Sequence, residues 1–455
     1  MSGTIDSEIV PSKHFPVKRW VVAILVIAIS AFASLEFIQD PRLARAALVA
    51  AVCLTLWLSE VVPPYVPTVV FWGLTPLLLQ SFGNEFHFAN VLSWSADPVL
   101  ALFLGGFTLS VAASRYGIDA RVAHLAIQFS HGRRLVLLAL IVASTAALSM
   151  WMSNIAAAAM MIAALRPLFS EMPSDDPFRR ALLVGVAIGA NFGGMATPVG
   201  TGPNAIAIAA VSKHQAITFL SWMAFALPLT VLMLIAGIIL LILRFRVRGT
   251  AKLPRLHPPK FGWGSRGVLI ILVVTVAAWL TEPWHGAPPG IVALFSVVAL
   301  FGSGLLDRND LNSIDWSTLA LIAGGIGLGR LLEQSGLVKA ASAMIPWTDV
   351  SPLARILGLC FLSAILAALM SNTATAAMLI PLASSIDPSP STAILIAIAA
   401  SMGIPFVIST PPNAMVYGEG VRSSDLLVPG LILMILGCLL VGLTGPFVLR
   451  LMGIP

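Results

Sequence analysis

Two apolar stretches of the sequence each carry a Ser-Asn pair at their centre: LSMWMSNIAAAAMM, from Leu148 to Met161, and AALMSNTATAAML, from Ala367 to Leu379. Ser and Asn side chains hydrogen-bond to nearby backbone in competition with the helical ladder, so each pair predicts a turn between two helical arms. A second pair of stretches, GGMATPVGTGPNAIA from Gly193 to Ala207 and GIPFVISTPPNAMVYG from Gly403 to Gly418, sets Pro-Asn after small and hydroxyl residues. Proline removes a backbone donor and breaks helices, and irregular backbone at membrane depth is tolerated only where protein buries it or where it lines a cavity. Pro203, Asn204, Pro412 and Asn413 are therefore expected to shape two binding loops. Small-residue helix packing accounts for one Ser-Asn pair on its own; it does not account for two pairs accompanied by two matching loops.

Charge limits the chemistry these residues can do. The windows 135–165, 181–212, 356–386 and 388–418 contain no Asp, Glu, Lys or Arg. A proton relay needs acids or His inside the membrane, and hydrolysis needs a cluster of acid, base and nucleophile; with neither present, no catalytic function is expected. Backbone carbonyls and the oxygens of Ser, Thr and Asn remain, which suit a hard monovalent cation, while the N-termini of half-helices with Asn and Thr donors suit an anion. A neutral pocket that collects sodium and an anion together satisfies both. The seven His residues sit in loops or near span ends and form no HExxH-like cluster. Ser303 lies between two glycines with no His or Asp suitably placed, and Cys53, Cys360 and Cys438 are far apart in apolar runs, suggesting neither a disulfide framework nor a metal site.

Residues of this kind need a membrane-embedded frame. The 455-residue chain is 58% hydrophobic and 10% charged, with a mean hydropathy of +0.95, against about 25% charged residues in ordinary soluble domains. A single water-exposed globule and a disordered chain are excluded, and a porin-like barrel would alternate apolar and polar residues. The net charge of +6 forms no basic stripe interleaved with aromatics, so no nucleic-acid partner is indicated; the basic residues punctuate the ends of apolar runs. Spans are predicted near 20–38, 44–62, 67–81 and 97–114, then two-part segments near 135–166 and 180–211, then 219–243. After a basic, Pro-containing linker at 244–266 come 267–281, 288–306 and 317–333, two-part segments near 353–384 and 391–418, and 426–449. The run from Val21 to about Phe37 has no cleavage site after a short core and reads as a span, not a secretory signal.

If each Ser-Asn segment enters and leaves by the same face and the N-terminus is cytoplasmic, 19 of the 26 Lys and Arg residues lie inside and seven outside, as the positive-inside tendency favours. The predicted fold class is an all-α integral membrane protein with about 11 transmembrane helices plus two re-entrant hairpins, the first opening to the cytoplasm and the second to the outside, in a plasma (inner) membrane. Two blocks repeat. Gly105-Gly106 matches Gly324-Gly325, Ser153-Asn154 matches Ser371-Asn372, and Pro203-Asn204 matches Pro412-Asn413, at offsets of 219, 218 and 209. An odd number of crossings between the copies inverts them, and inverted repeats with paired interruptions point to a secondary transporter whose site lies at the repeat interface.

With these paired motifs the chain resembles the divalent anion/sodium symporters, the family of di- and tricarboxylate and sulfate carriers, over nearly its whole length; SNTATAAM, from Ser371 to Met378, is the most specific stretch. The resemblance implies a homodimer working by an elevator mechanism. Residues 20–127 and 267–347 would be scaffold, following a cytoplasmic tail at 1–19, and 128–243 and 348–455 would move. It further implies one sodium site from Ser149, Ser153, Asn154 and the Gly200 carbonyl, and a second from Asn372 with the carbonyls of Ala368 and Ser409. Asn154, Ile155, Thr201, Asn372, Thr373, Thr410 and Pro411 would face the anion. The sequence departs from the family at Ile155, where Thr is usual, at Ala367, where a hydroxyl matching Ser149 is expected, and at Gly202-Pro203, which lacks the double proline kept at Pro411-Pro412. The implied activity is sodium-coupled symport of a small divalent anion such as a C4 dicarboxylate; an anion exchanger of the same fold, a sulfate or other oxyanion carrier, and an ion channel stay open as alternatives.

Overall fold

The computed structural model describes residues 17–59, 61–170, 172–173, 175–212, 215–251, 261–343, 350–387 and 389–454. Most of the expected cytoplasmic tail, and the linker residues Lys252, Arg255 and Lys260, lie outside the described residues. Among those described, the regular elements are helices, with one isolated bridge between Arg133 and Thr250. Hydrocarbon offers no partner to backbone polar groups, so apolar segments satisfy them internally by coiling. Among the described residues, seven helices are long and apolar enough to cross a membrane: Arg19–Phe37, Pro41–Ser59, Pro98–Arg115, Phe219–Phe245, Trp263–Leu280, Pro352–Leu369 and Ser423–Leu451.

The shorter apolar helices arise where the sequence interrupts itself. The first hairpin has arms Arg134–Ser149 and Asn154–Phe169, and the second has arms Pro352–Leu369 and Asn372–Ile386. Ser153 and Ser371 are the N-caps of the returning arms, their side chains accepting from the amides of Ala156 at 3.2 Å and Ala374 at 3.1 Å. Each cap satisfies a backbone donor that helix initiation would otherwise orphan. The first interrupted helix consists of Pro177–Met195 and Gly202–Val211, the second of Pro390–Ala400 and Pro411–Gly418. All four pieces begin with Pro in the first two positions, where its missing amide costs nothing and its φ already suits a helix.

Some helices lie between the predicted spans. Phe88–Trp94, Arg308–Asn312 and Leu337–Ala343 are short, and the amphipathic Ile118–Phe129 packs across both arms of the first hairpin. At the centre, Pro177–Met195 is buried without a break from Ala181 to Met195. Its Gly185, Gly189 and Gly193, four apart, face the arm Arg134–Ser149; a Cβ on Gly189 would sit 2.6 Å from the Val142 carbonyl oxygen, and one on Gly193 would strike the Ala146 backbone. Small residues at this spacing let helix backbones touch, and the close approach brings the Ala190 carbonyl beside Ser149.

Polar contacts sort the helix ends onto two faces. On one, Arg115 pairs with Asp307 and Asp310, Arg166 with Glu419, and Arg180 and Arg244 with the fully buried Asp425, while Arg133 bridges Thr250. On the other, Arg42 reaches Glu85 and the Gln334 carbonyl, Gln215 bonds the Gly453 carbonyl, and the Phe219 amide donates to Glu282. The 20-residue helix Trp316–Ser335 runs between them, about 30 Å at 1.5 Å per residue. Both ends of the first hairpin lie on the first face. The ends of the second lie on the other, where Ser384 and Ser389 surround one cavity with Arg330.

Candidate functional site

The two hairpin tips and the two unwound segments meet in the interior. At the first tip, Ser149 Oγ lies 2.8 Å from Asn154 Oδ1 and 2.7 Å from the Ala190 carbonyl oxygen. A hydroxyl has one hydrogen for these two acceptors, so lone pairs crowd at this point, an arrangement that a small cation relieves. The Gly200 carbonyl oxygen and Asn154 Oδ1 both border the missing Cβ of Gly194. Three of the four expected ligands, Ser149, Asn154 and the Gly200 carbonyl, thus have oxygens close to one another, while the Ser153 hydroxyl is engaged as the helix cap that fixes the turn.

At the second tip, Ser409 Oγ donates to the Ala368 carbonyl at 2.8 Å and accepts from the Phe406 amide at 3.0 Å. Ala368 and Ser409 are therefore together, as expected, and it is the Ser409 hydroxyl, not its carbonyl, that ties the loop to the hairpin. Asn372 Oδ1 is buried with no hydrogen-bond partner among the described residues. A buried amide oxygen left alone costs of order 1–3 kcal/mol, so a cation or a donor on a ligand would relieve it. A Cβ on Gly202 would strike the Thr373 side chain, so the second hairpin packs closely on the first loop. Ile155 is 46% exposed, pointing out of the packed core.

The Pro-Asn pairs span the unwound segments in the same way in both copies. Asn204 Nδ2 donates to the carbonyls of Gly194, Met195 and Thr197 at 3.1, 3.5 and 2.8 Å, and Asn413 Nδ2 to those of Ile404 and Phe406 at 2.9 and 2.8 Å. Each amide answers carbonyls that the break in the helix released. Pro203 and Pro412, both buried, start the helix that follows. The caps differ: Thr410 Oγ1 accepts from the Asn413 amide at 3.4 Å, whereas Thr201 makes no side-chain capping bond.

Sequence reasoning missed several residues. Asn191 Nδ2 donates to Asn413 Oδ1 at 3.2 Å and links the two interrupted helices, while Asn191 Oδ1 has no partner among the described residues. Thr197 Oγ1 donates to the Met150 carbonyl, and Thr375 and Ser401 hold buried hydroxyls with no partner among the described residues. A lone Asn inside the glycine-rich helix was the available signal. The two half-sites also differ in cover. Gly202–Val211 is buried along almost its whole length, whereas Pro411, Ala414 and Tyr417 are exposed and Ile408 is 73% exposed.

An all-helical membrane fold whose broken helices surround uncharged oxygens is that of a membrane transporter. The similarity of known proteins carries this further: the family model described as citrate transporter (CitMHS) matches residues 42–393, and the chain belongs to that family. The resemblance to divalent anion/sodium symporters therefore holds. An inorganic phosphate transporter of Saccharomyces cerevisiae is 28% identical over 438 residues, covering 90% of this chain; the chain spans 46% of that protein's length. A sodium-dependent dicarboxylate transporter of Staphylococcus saprophyticus is 27% identical over 413 residues, covering 80% of this chain and 78% of that one. The crystal structure of the YdaH transporter of Alcanivorax borkumensis superposes with a TM-score of 0.61 at 15% identity, covering 90% of this chain and 99% of that one, a likeness of fold.

Proposed function

We propose that the chain imports a small divalent anion, a C4 dicarboxylate, together with sodium as secondary active symport. The carrying observation is the pair of tips: crowded oxygens at Ser149, Asn154 and Ala190, and the orphaned Asn372 Oδ1, in segments without any charge. Sodium at each tip balances the anion that the Asn and Thr donors hold between them. Ser149, Ser153, Asn154 and Gly200 make the first sodium site, and Ala368, Asn372 and Ser409 the second. Ile155, Thr201, Thr373, Thr410 and Pro411 complete the anion pocket.

The packing of the two halves supports an elevator mechanism. The two matched blocks form an inverted repeat, with hairpins entering from opposite faces and the basic-rich face cytoplasmic. Residues 128–243 and 348–455 move as one body against the scaffold 20–127 and 267–347, which dimerises in the plasma membrane. Burial of nearly all of Gly202–Val211 and exposure of one side of Pro411–Gly418, at Pro411, Ala414, Tyr417 and Gly418, fit a state closed toward the outer face and open toward the cytoplasmic one. Sequestering sodium and anion together in the moving body couples their transport.

The phosphate-transporter relatives favour a second reading, carriage of an inorganic oxyanion by the same site. Uptake into proteoliposomes of succinate, citrate, sulfate and phosphate, with and without an inward sodium gradient, separates the readings. Sodium-driven accumulation of succinate supports the first. Preference for phosphate supports the second, and counterflow without any sodium dependence points to exchange.

A further inference from the structure

A cavity of about 290 Å³ opens between the helix Trp316–Ser335 and the hairpin and loop elements opposite it. Gly325, Gly329 and Arg330 form one wall, and Ile206, Ile380 and Pro381 form the other. Among the described residues that line it, none belongs to the tips, and the packing beside it is close: a Cβ on Gly325 would meet Ala377 Cβ at 2.8 Å and Ile206 Cδ1 at 3.3 Å. Among the described residues no hydrogen bond or ion pair engages the half-buried Arg330 guanidinium, whereas Glu333, also in the wall, has a partner of its own.

We propose that this cavity binds a small amphipathic carboxylate, with its head on Arg330 and its apolar body between Ile206, Ile380 and Pro381, and that occupation arrests the transporter. The size lies at the lower end of small-ligand pockets, about 300–1,000 Å³, which combine apolar walls with few polar anchors. A guanidinium matches a carboxylate in a bidentate fork, and Ser384 and Ser389 also line the space. A compact dianion such as succinate would leave the apolar walls uncovered and one carboxylate without a cation. Because one wall belongs to the scaffold and the other to the moving body, sliding one past the other destroys the cavity. A ligand that fits only the assembled cavity biases the molecule toward that state by its differential affinity. The arrest rests on the transport reading; the binding does not.

The test uses 4-butylbenzoate as probe on the full-length purified protein. Its Tm should rise saturably with probe; in Arg330→Gln the midpoint concentration should increase about tenfold or more, the loss of one charge-assisted hydrogen-bonded contact, and in Ala210→Phe, which fills the cavity from the moving wall, the shift should vanish. Asn154→Ala and Asn372→Ala should keep it. In proteoliposomes the probe should lower maximal succinate uptake without raising the half-saturating succinate concentration. Equal midpoints in wild type and Arg330→Gln, or stabilisation only by added phosphatidylglycerol, overturns the site. Competition with succinate overturns the arrest, and the Tm series decides the binding even in a protein that moves no succinate.

Discussion

At the level of single residues, the amides at the tips carry the account. Asn154 crowds against Ser149, while Asn372 has a buried oxygen without a partner, and an Asn offers both an acceptor for a cation and donors for an anion. Asn154→Ala and Asn372→Ala are expected to abolish uptake while the purified proteins keep their helical circular dichroism; normal transport by both removes the site assignment. Ile155 places an exposed apolar side chain where its repeat partner Thr373 offers a hydroxyl. Ile155→Thr should move preference toward symmetric C4 dicarboxylates by about 1 kcal/mol, one ordinary hydrogen bond, read as stronger competition by succinate against labelled substrate. An unchanged rank order across the anion panel excludes this role. These positions were legible because polar residues stand out in apolar runs. The Asn191 to Asn413 bond was not, since its partners are 222 residues apart and nothing local to either one announces the other.

The elements were legible where the chain breaks itself. Ser153 and Ser371 cap, Pro203 and Pro412 interrupt, and the structure has helix boundaries within a few residues of the expected ones. The helix Ile118–Phe129 was not anticipated as an element: it is too polar for a span, and its apolar side is defined only by the hairpin it lies on. Nor was the ion cluster that joins three elements at one face. Asp425 is fully buried between Arg180, at 2.6 Å, and Arg244, at 3.2 Å, and both guanidiniums lie over the Phe245 ring. Removing one partner of a buried pair strands the other charge and costs about 3–5 kcal/mol. Asp425→Ala should therefore lower the thermal midpoint of the purified protein substantially, and Arg244→Ala much less, because Arg244 is 41% exposed. Wild-type stability in Asp425→Ala contradicts a locking role for the cluster.

Across the whole molecule, the basic residues and the sorted helix ends make a topological prediction. Single cysteines at Gly132 and Gly249 should be labelled only from the cytoplasm and one at Ser351 only from outside; labelling of Gly132 and Ser351 from the same side contradicts the inversion. Three stacked rings also tie the first tip to the helix Trp263–Leu280: Trp151 and Phe219 are 6.1 Å apart, Trp151 and Trp279 6.3 Å, and Phe219 and Trp279 4.9 Å. Such contacts add about 0.5–1.5 kcal/mol per pair beyond area, so Trp151→Ala should shift the population away from this state, seen as faster labelling of a cysteine placed at Ile206 from the outer face. The central claim is that the two tips hold sodium and a dicarboxylate together, and equilibrium binding of labelled succinate to the purified protein at graded sodium concentrations tests it most directly. Succinate affinity should rise steeply with sodium in the wild type and lose that dependence in Asn372→Ala; succinate binding of equal strength with and without sodium contradicts it.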